Sequence, residues 1–129
     1  PYLLASTLRA IVAQRLVRRL CNACKQPAVI GPHEAKLLAS VGAEGATVYE
    51  GKGCASCRGS GYVGRIGLYE FVVIDDEIRR QIHAAASEQE IAAHAFRAAD
   101  TLSSAGLRCV AAGVTSLSDV LRATSAQDA

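Results

Sequence analysis

The 129-residue sequence predicts an α+β chain, mainly helical, in which a small four-cysteine subdomain is followed by a helical subdomain. Three observations lead there. Half of the residues are hydrophobic but only 5% are aromatic, with no Trp and no Met, so a core must be assembled from Ala, Leu, Val and Ile, a composition that suits packed helices. Two Cys-x-x-Cys pairs, Cys21 with Cys24 and Cys54 with Cys57, stand at the two ends of one stretch of chain. After Asp75, helix-capping residues recur at short intervals.

Taken in order, residues 3–20, LLASTLRAIVAQRLVRRL, are good helix formers without Gly or Pro and are expected to be helical. At 100° per residue, Leu8, Ile11, Val12, Leu16, Val17 and Leu20 spread around the circumference with arginines between them. A helix apolar nearly all round is normally buried in a larger body. GPHEAKLLASVG predicts a short helix with Pro32 at its first position and Gly42 just past its end. Residues 46–50, ATVYE, read as a strand, 59–64, GSGYVG, as a tight loop, and 65–74, RIGLYEFVVI, as a β-branched and aromatic strand. Asp75 is placed to cap a helix carrying Ile78 and Ile82, and Ser87 with Glu90 to form a capping box for the next. A helix carrying Leu102 and Val110 should close at Gly113, Ser116 with Asp119 should start a last one, and the final SAQDA should fray.

No apolar run reaches the roughly 18 residues of a membrane span, because Arg9, Arg15, Arg18 and Arg19 interrupt the one candidate. The first residues lack the pattern of a secretory signal, and a start at Pro1 leads to the expectation of a processed chain or an excised fragment. Five cysteines is an odd number. Without an export signal a reducing, cytosolic compartment is expected, where thiols serve as metal ligands or catalysts more often than as bridges.

Residues 25–53 separate the pairs, a longer gap than in the shortest zinc ribbons, but each pair has the form a metal site needs. Two residues between cysteines let a tight turn bring both sulfurs to one ion at about 2.3 Å, and two such turns complete a tetrahedral S4 shell. With all four positions filled by protein, a zinc ion would fold the chain rather than catalyse. Lys25, Lys52 and Arg58 are placed to offset a dianionic ZnS4 centre, and Gly53 and Gly59 to turn N–H groups toward sulfur. The formal charge of +2 would fall to almost nothing in such a form. Thioredoxin-like redox chemistry would instead need one pair opening a helix after a strand, without a matching second pair. Cys109 stands alone in a helical stretch and reads as a small buried hydrophobe; His33, His83 and His94 read as surface or packed residues, not ligands.

Several function classes lack their residues. Gly51-Lys52 is not a phosphate-binding loop, because that motif would need Gly at 46 and Ser or Thr at 53, where the chain has Ala46 and Gly53. No Ser-His-Asp order and no cleft-like pair of carboxylates can be argued, and the adjacent Asp75 and Asp76 read as cap and dipole complement. Arg9, Arg15, Arg18, Arg19 and Lys25 precede the first acid, Glu34, which invites nucleic-acid binding. No aromatic residue is interleaved among them for stacking, and they mix with apolar positions rather than lining one face.

Three stretches carry a family resemblance: LRAIVAQRLVRRLCNAC, GCASCRGSGYVGRIGLYE and AGLRCVAAGVTSLSDVLRAT. Together they resemble the C-terminal part of the type II secretion ATPases, the GspE family, and of their type IV pilus assembly relatives. The resemblance covers nearly the whole chain, most weakly from Ala28 to Glu50. It implies a fragment of a larger RecA-like ATPase. In this reading residues 1–20 are the terminal helix of the ATPase core, 21–61 a tetracysteine zinc-binding subdomain, and 62–129 a core-returning strand with a C-terminal helical subdomain. Cys21, Cys24, Cys54 and Cys57 would be the ligands of one structural zinc per chain. ATP and magnesium would belong to the parent protein only, since no phosphate-binding loop lies in this chain, which alone is expected to be inactive. The parent is implied to be a cytoplasmic hexamer, peripherally associated with the bacterial inner membrane, whose partners are inner-membrane secretion or pilus platform proteins; nucleic acid is not expected. Arg15, Arg18, Arg65 and Glu70 are candidates for coupling at the join, with ordinary ion pairs the plainer alternative. Cys109 stands where such proteins commonly carry a basic residue, and Ser103 and Ala105 replace more polar positions. A stand-alone zinc ribbon binding nucleic acid is the alternative; a DnaJ-type zinc module, suggested by Cys54 to Gly61, would repeat its Gly-x-Gly after the first pair, and this chain does not.

Overall fold

In the computed structural model, which describes residues 6–96 and 101–125, the chain runs β1 (Ala10–Leu20), β2 (Lys25–Pro27), α1 (Pro32–Ala39), β3 (Tyr49–Gly51), a single 3-10 turn (Ala55–Cys57), β4 (Tyr62–Val73), α2 (Asp76–His83), α3 (Glu88–Ala95), α4 (Leu102–Ala111) and α5 (Leu117–Ser125). β1 pairs with β4 and β2 with β3, giving two small two-stranded sheets in an α+β chain. The helices begin where their caps predict. Asp75 accepts the N–H of Ile78 at 2.8 Å, Ser87 that of Glu90 at 3.2 Å, and Ser116 that of Asp119 at 3.2 Å, while Pro32 opens α1 and Gly113, at φ 77°, follows the end of α4.

The expected helix over residues 3–20 is overturned: Ala10–Leu20 is a strand, and among the described residues before it only Ser6 and Thr7 are helical. Summed helix propensity is a weak prior, and two facts of this segment outweigh it. Its apolar residues form no helical stripe, so a helix would gain little by packing. Paired with β4, by contrast, its backbone is satisfied: the Arg9 carbonyl accepts the Ile74 N–H at 2.9 Å, and the Gln14 amide donates to the Tyr69 hydroxyl at 3.3 Å, an order that makes the strands antiparallel. Period-two alternation is equally hidden, because the buried Val17 and Leu20 lie an odd number of residues apart. The strand expected at 46–50 shrinks to Tyr49–Gly51, and Tyr62 to Gly64, expected in a loop, already belong to β4. Residues 126–129 of the expected frayed end, and 3–5 of the expected helix, lie outside the described residues.

The chain divides into two compact units, Pro1–Gln14 with Tyr69–Thr101 and Arg15–Leu68 with Leu102–Ala129. In the first, Val72, Ile74 and Ile78 are buried, with Leu8, Ile82, Ile91, Ala95 and Phe96 packed against them. His94 hydrogen-bonds Asp75 at 2.8 Å, fastening α3 to the start of α2. That bond, with the Ile78 N–H, holds the Asp75 carboxyl below its usual range. In the second unit Val17, Leu20, Leu38, Val48, Leu68, Leu102, Leu107, Val110, Leu117 and Val120 are buried. α4 and α5 pack closely there because Gly106 lacks a side chain: a Cβ would stand 2.5 Å from Val120 Cγ1 and 3.2 Å from Leu68 Cδ1.

Candidate metal centre

All four site cysteines belong to the second unit, and each is placed by backbone hydrogen bonds. Directly after β1, the Cys21 carbonyl accepts the N–H groups of Cys24 at 3.4 Å and Lys25 at 3.0 Å, a tight turn that points both sulfurs the same way. The β2–β3 pair, with Lys25 opposite Gly51, carries the chain back so that the Lys52 N–H reaches the Cys24 carbonyl at 3.4 Å. The second pair sits on the 3-10 turn, which ends with Arg58 at φ 55° and is closed by the Gly59 N–H on the Cys54 carbonyl at 2.8 Å. Gly61 then does two things at once. Its N–H donates to Cys57 Sγ at 3.1 Å, and its carbonyl accepts the Cys21 N–H at 2.9 Å, so the two cysteine turns are tied through one residue. Only glycine fits: φ is 84°, and a Cβ would come 2.9 Å from the Gly51 carbonyl oxygen.

The four sulfurs lie within 4.8 Å of one another, and the pairs Cys21–Cys54, Cys24–Cys57 and Cys54–Cys57 are each 3.8 Å apart. A tetrahedron with metal–sulfur bonds of about 2.3 Å has edges of about 3.8 Å, so the spacing fits a tetrahedral thiolate site for zinc. It is far beyond the roughly 2.05 Å of a disulfide, and all five cysteines are free. Cys21 and Cys57 are buried. Three N–H groups point at sulfur: Gly53 to Cys24 at 3.3 Å, and Cys54 and Gly61 to Cys57 at 3.2 and 3.1 Å. Gly53 thus does what the sequence predicts of it, whereas Gly59 serves a carbonyl and the unforeseen Gly61 takes the sulfur. Burial pushes the Cys57 thiol up, but the two N–H groups and the neighbouring thiols outweigh it and bring it down to about 6; burial and three thiols push Cys24 to about 11. Lys25, expected to balance the centre's charge, instead donates to the Gly113 carbonyl at 3.0 Å with its ammonium over the Tyr49 ring. Cys109 lies in α4, half-buried, its thiol pushed up by burial, as a packing residue would be.

Sequence reasoning missed the foot on which the cysteine excursion stands. The turn between α4 and α5 is bonded to both strands that flank it. The Leu20 N–H donates to the Val114 carbonyl at 2.8 Å, the Thr115 hydroxyl to the Arg18 carbonyl at 2.8 Å, and Tyr62 shares a hydrogen bond with Ser116 at 2.6 Å. Asp119, foreseen only as a capping-box member, is buried to 1% exposure and takes the Arg18 N–H at 2.6 Å and its guanidinium at 2.9 and 3.1 Å, and also Arg122 at 3.0 Å. Burial pushes the Asp119 carboxyl up, but the Arg18 and Arg122 bonds outweigh it and hold it below the usual range. Of the four coupling candidates, Arg18 is in this network, Arg65 lies on β4 near it, Arg15 is exposed on β1 and Glu70 half-buried on β4. The signal available in the sequence was Thr-Ser-Leu-Ser-Asp itself, too polar for the buried position it occupies.

Residues 1–122 match the family described as Type II/IV secretion system protein. The chain is 44% identical over 124 residues to the Type II secretion system protein E of Pseudomonas aeruginosa, covering 96% of this chain and 25% of that protein. It is 38% identical to the Type II secretion system ATPase E of Vibrio cholerae, with the same coverage. To the Type IV pilus assembly ATPase PilB of Thermus thermophilus it is 40% identical, covering 96% of this chain and 14% of that protein. The chain thus spans about a quarter or less of the length of these relatives.

Proposed function

Since the chain belongs to the Type II/IV secretion system protein family, we propose that it is the zinc-stabilised accessory region of a secretion or pilus-assembly ATPase, corresponding to the C-terminal part of its relatives. In this reading Cys21, Cys24, Cys54 and Cys57 hold one structural zinc ion, which closes the excursion between β1 and β4 into a stiff arm. ATP and magnesium bind a RecA-like core elsewhere in the parent, which assembles as a hexamer in the cytoplasm. Its nucleotide-driven motion reaches an inner-membrane platform protein through elements such as this arm rather than dissipating in a loose loop. Two relatives are named as ATPases and this chain has no phosphate-binding loop, which supports an accessory rather than a hydrolytic role for it. The observation that carries the zinc assignment is the 3.8 Å spacing of sulfurs held by backbone N–H groups.

Elemental analysis of reduced, folded protein should find one zinc per chain. Chelation, or Cys57→Ser, should lower the melting temperature and abolish protection of the Cys21 and Gly61 amides from hydrogen exchange. A folded, reduced sample without metal and with those amides still protected would overturn the reading.

A further inference from the structure

A second chemical feature lies beside the foot of the excursion. Leu16, Val17, Arg18, Arg65 and Arg122 line a cavity of about 280 Å³; three of these five residues are arginines and none is acidic. Asp119 lies behind that wall and fixes two of the three: Arg18 and Arg122 both bond its Oδ1, through Nε and Nη2 in each case, at 2.9 to 3.3 Å. Arg18 is further held by the face of Tyr62, its guanidinium carbon 4.0 Å from the ring centroid. Arg65 brings a third positive group from an exposed position on β4.

We propose that this cavity binds a phosphoryl dianion, with Arg65 as the residue that completes the site and Arg18 and Arg122 as a pre-positioned pair. Arginine presents planar, fixed donors that match the oxygens of a phosphoryl group, and two of these three guanidinium groups are already oriented by a buried carboxylate, so little ordering remains when a ligand arrives. Three arginines along one cavity favour a doubly charged ligand over a singly charged one. The ligand could be free phosphate, the polyphosphate tail of a larger molecule or a lipid headgroup. All share this chemistry.

The test follows the arginine Nε–Hε resonances of the zinc-loaded chain during titration with inorganic phosphate, with pyrophosphate, and with vesicles containing phosphatidate, at constant ionic strength. Saturable shifts of Arg18, Arg65 and Arg122 with at least one probe are expected, and which probe binds tightest identifies the source. Arg65→Gln should weaken that binding about tenfold or more, as befits the loss of a charge-assisted hydrogen bond, and Arg65→Lys should restore part of it. Arg65 is exposed, so both variants should keep the wild-type melting temperature. No saturable shift with any of the three probes would overturn the proposal. So would binding unchanged in Arg65→Gln, or glutarate binding as tightly as phosphate.

Discussion

Asp119 shows how much can rest on one side chain. A carboxylate without solvent contact is costly unless its oxygens are occupied, and here a backbone N–H and two guanidinium groups occupy them. Asp119→Ala should destabilise the chain by about 2 kcal/mol in urea unfolding, less than for a fully buried pair because the Arg18 and Arg122 side chains are 48% and 61% exposed. Its native pKa is depressed, so its stabilising contribution is fully present above the unfolded value of about 3.9 and is lost as pH falls through the native value. The stability gap between wild type and Asp119→Asn should accordingly narrow as pH drops below about 4, and a gap independent of pH would show that charge is not what Asp119 contributes. Beyond the polar run Thr-Ser-Leu-Ser-Asp, little in the local sequence points to this: Ser116-x-x-Asp119 is a complete explanation as a capping box, and its tertiary partner lies about a hundred residues earlier.

Among the elements, α4 and α5 make the most demanding contact. With Val120 Cγ1 only 2.5 Å from where a Cβ would stand, Gly106→Ala should destabilise by about 1–3 kcal/mol although alanine is the better helix former. Pairing it with Val120→Ala should recover part of the loss, and full additivity in thermal melts would argue against overpacking. Helices of this kind were legible in the sequence because their signals are local: a cap at one end, glycine at the other, apolar spacing between. The cysteine cluster was legible for a different reason, since few roles suit four cysteines in two matched pairs. β1 was not, because Leu, Arg, Gln and Ala favour a helix locally and the reason it is extended lies in β4, some fifty residues on. Gly61 was hidden among seven glycines of positive φ, and its part in the site depends on Gly51 lying against it.

For the molecule as a whole, the first unit's strand residues bear on the share of its relatives that the chain spans. Along β4, Leu68 and Val72 are buried, while Tyr69, Phe71 and Val73 on the alternate positions are 52–61% exposed, and Val12 on β1 is 58% exposed. Exposed apolar groups this close together mark a surface prone to association. Alone in solution the chain should self-associate as its concentration rises. Phe71→Ser with Val73→Thr should suppress this in sedimentation measurements without loss of zinc, and association unaffected by the pair would place the sticky surface elsewhere.

The bond from the Cys21 N–H to the Gly61 carbonyl has a last implication. The excursion departs and returns at neighbouring points, and the Ala28 N–H on the Val48 carbonyl at 2.7 Å closes it a second time further out. Beyond α1, whose Leu38 is buried, the exposed turn at Glu44 and Gly45 can therefore take an insertion or a graft without shifting strand register, since each doubling of a closed loop costs only about 0.6 kcal/mol. Evolution, or an engineer attaching a fluorophore, has there a place to write without erasing what surrounds it.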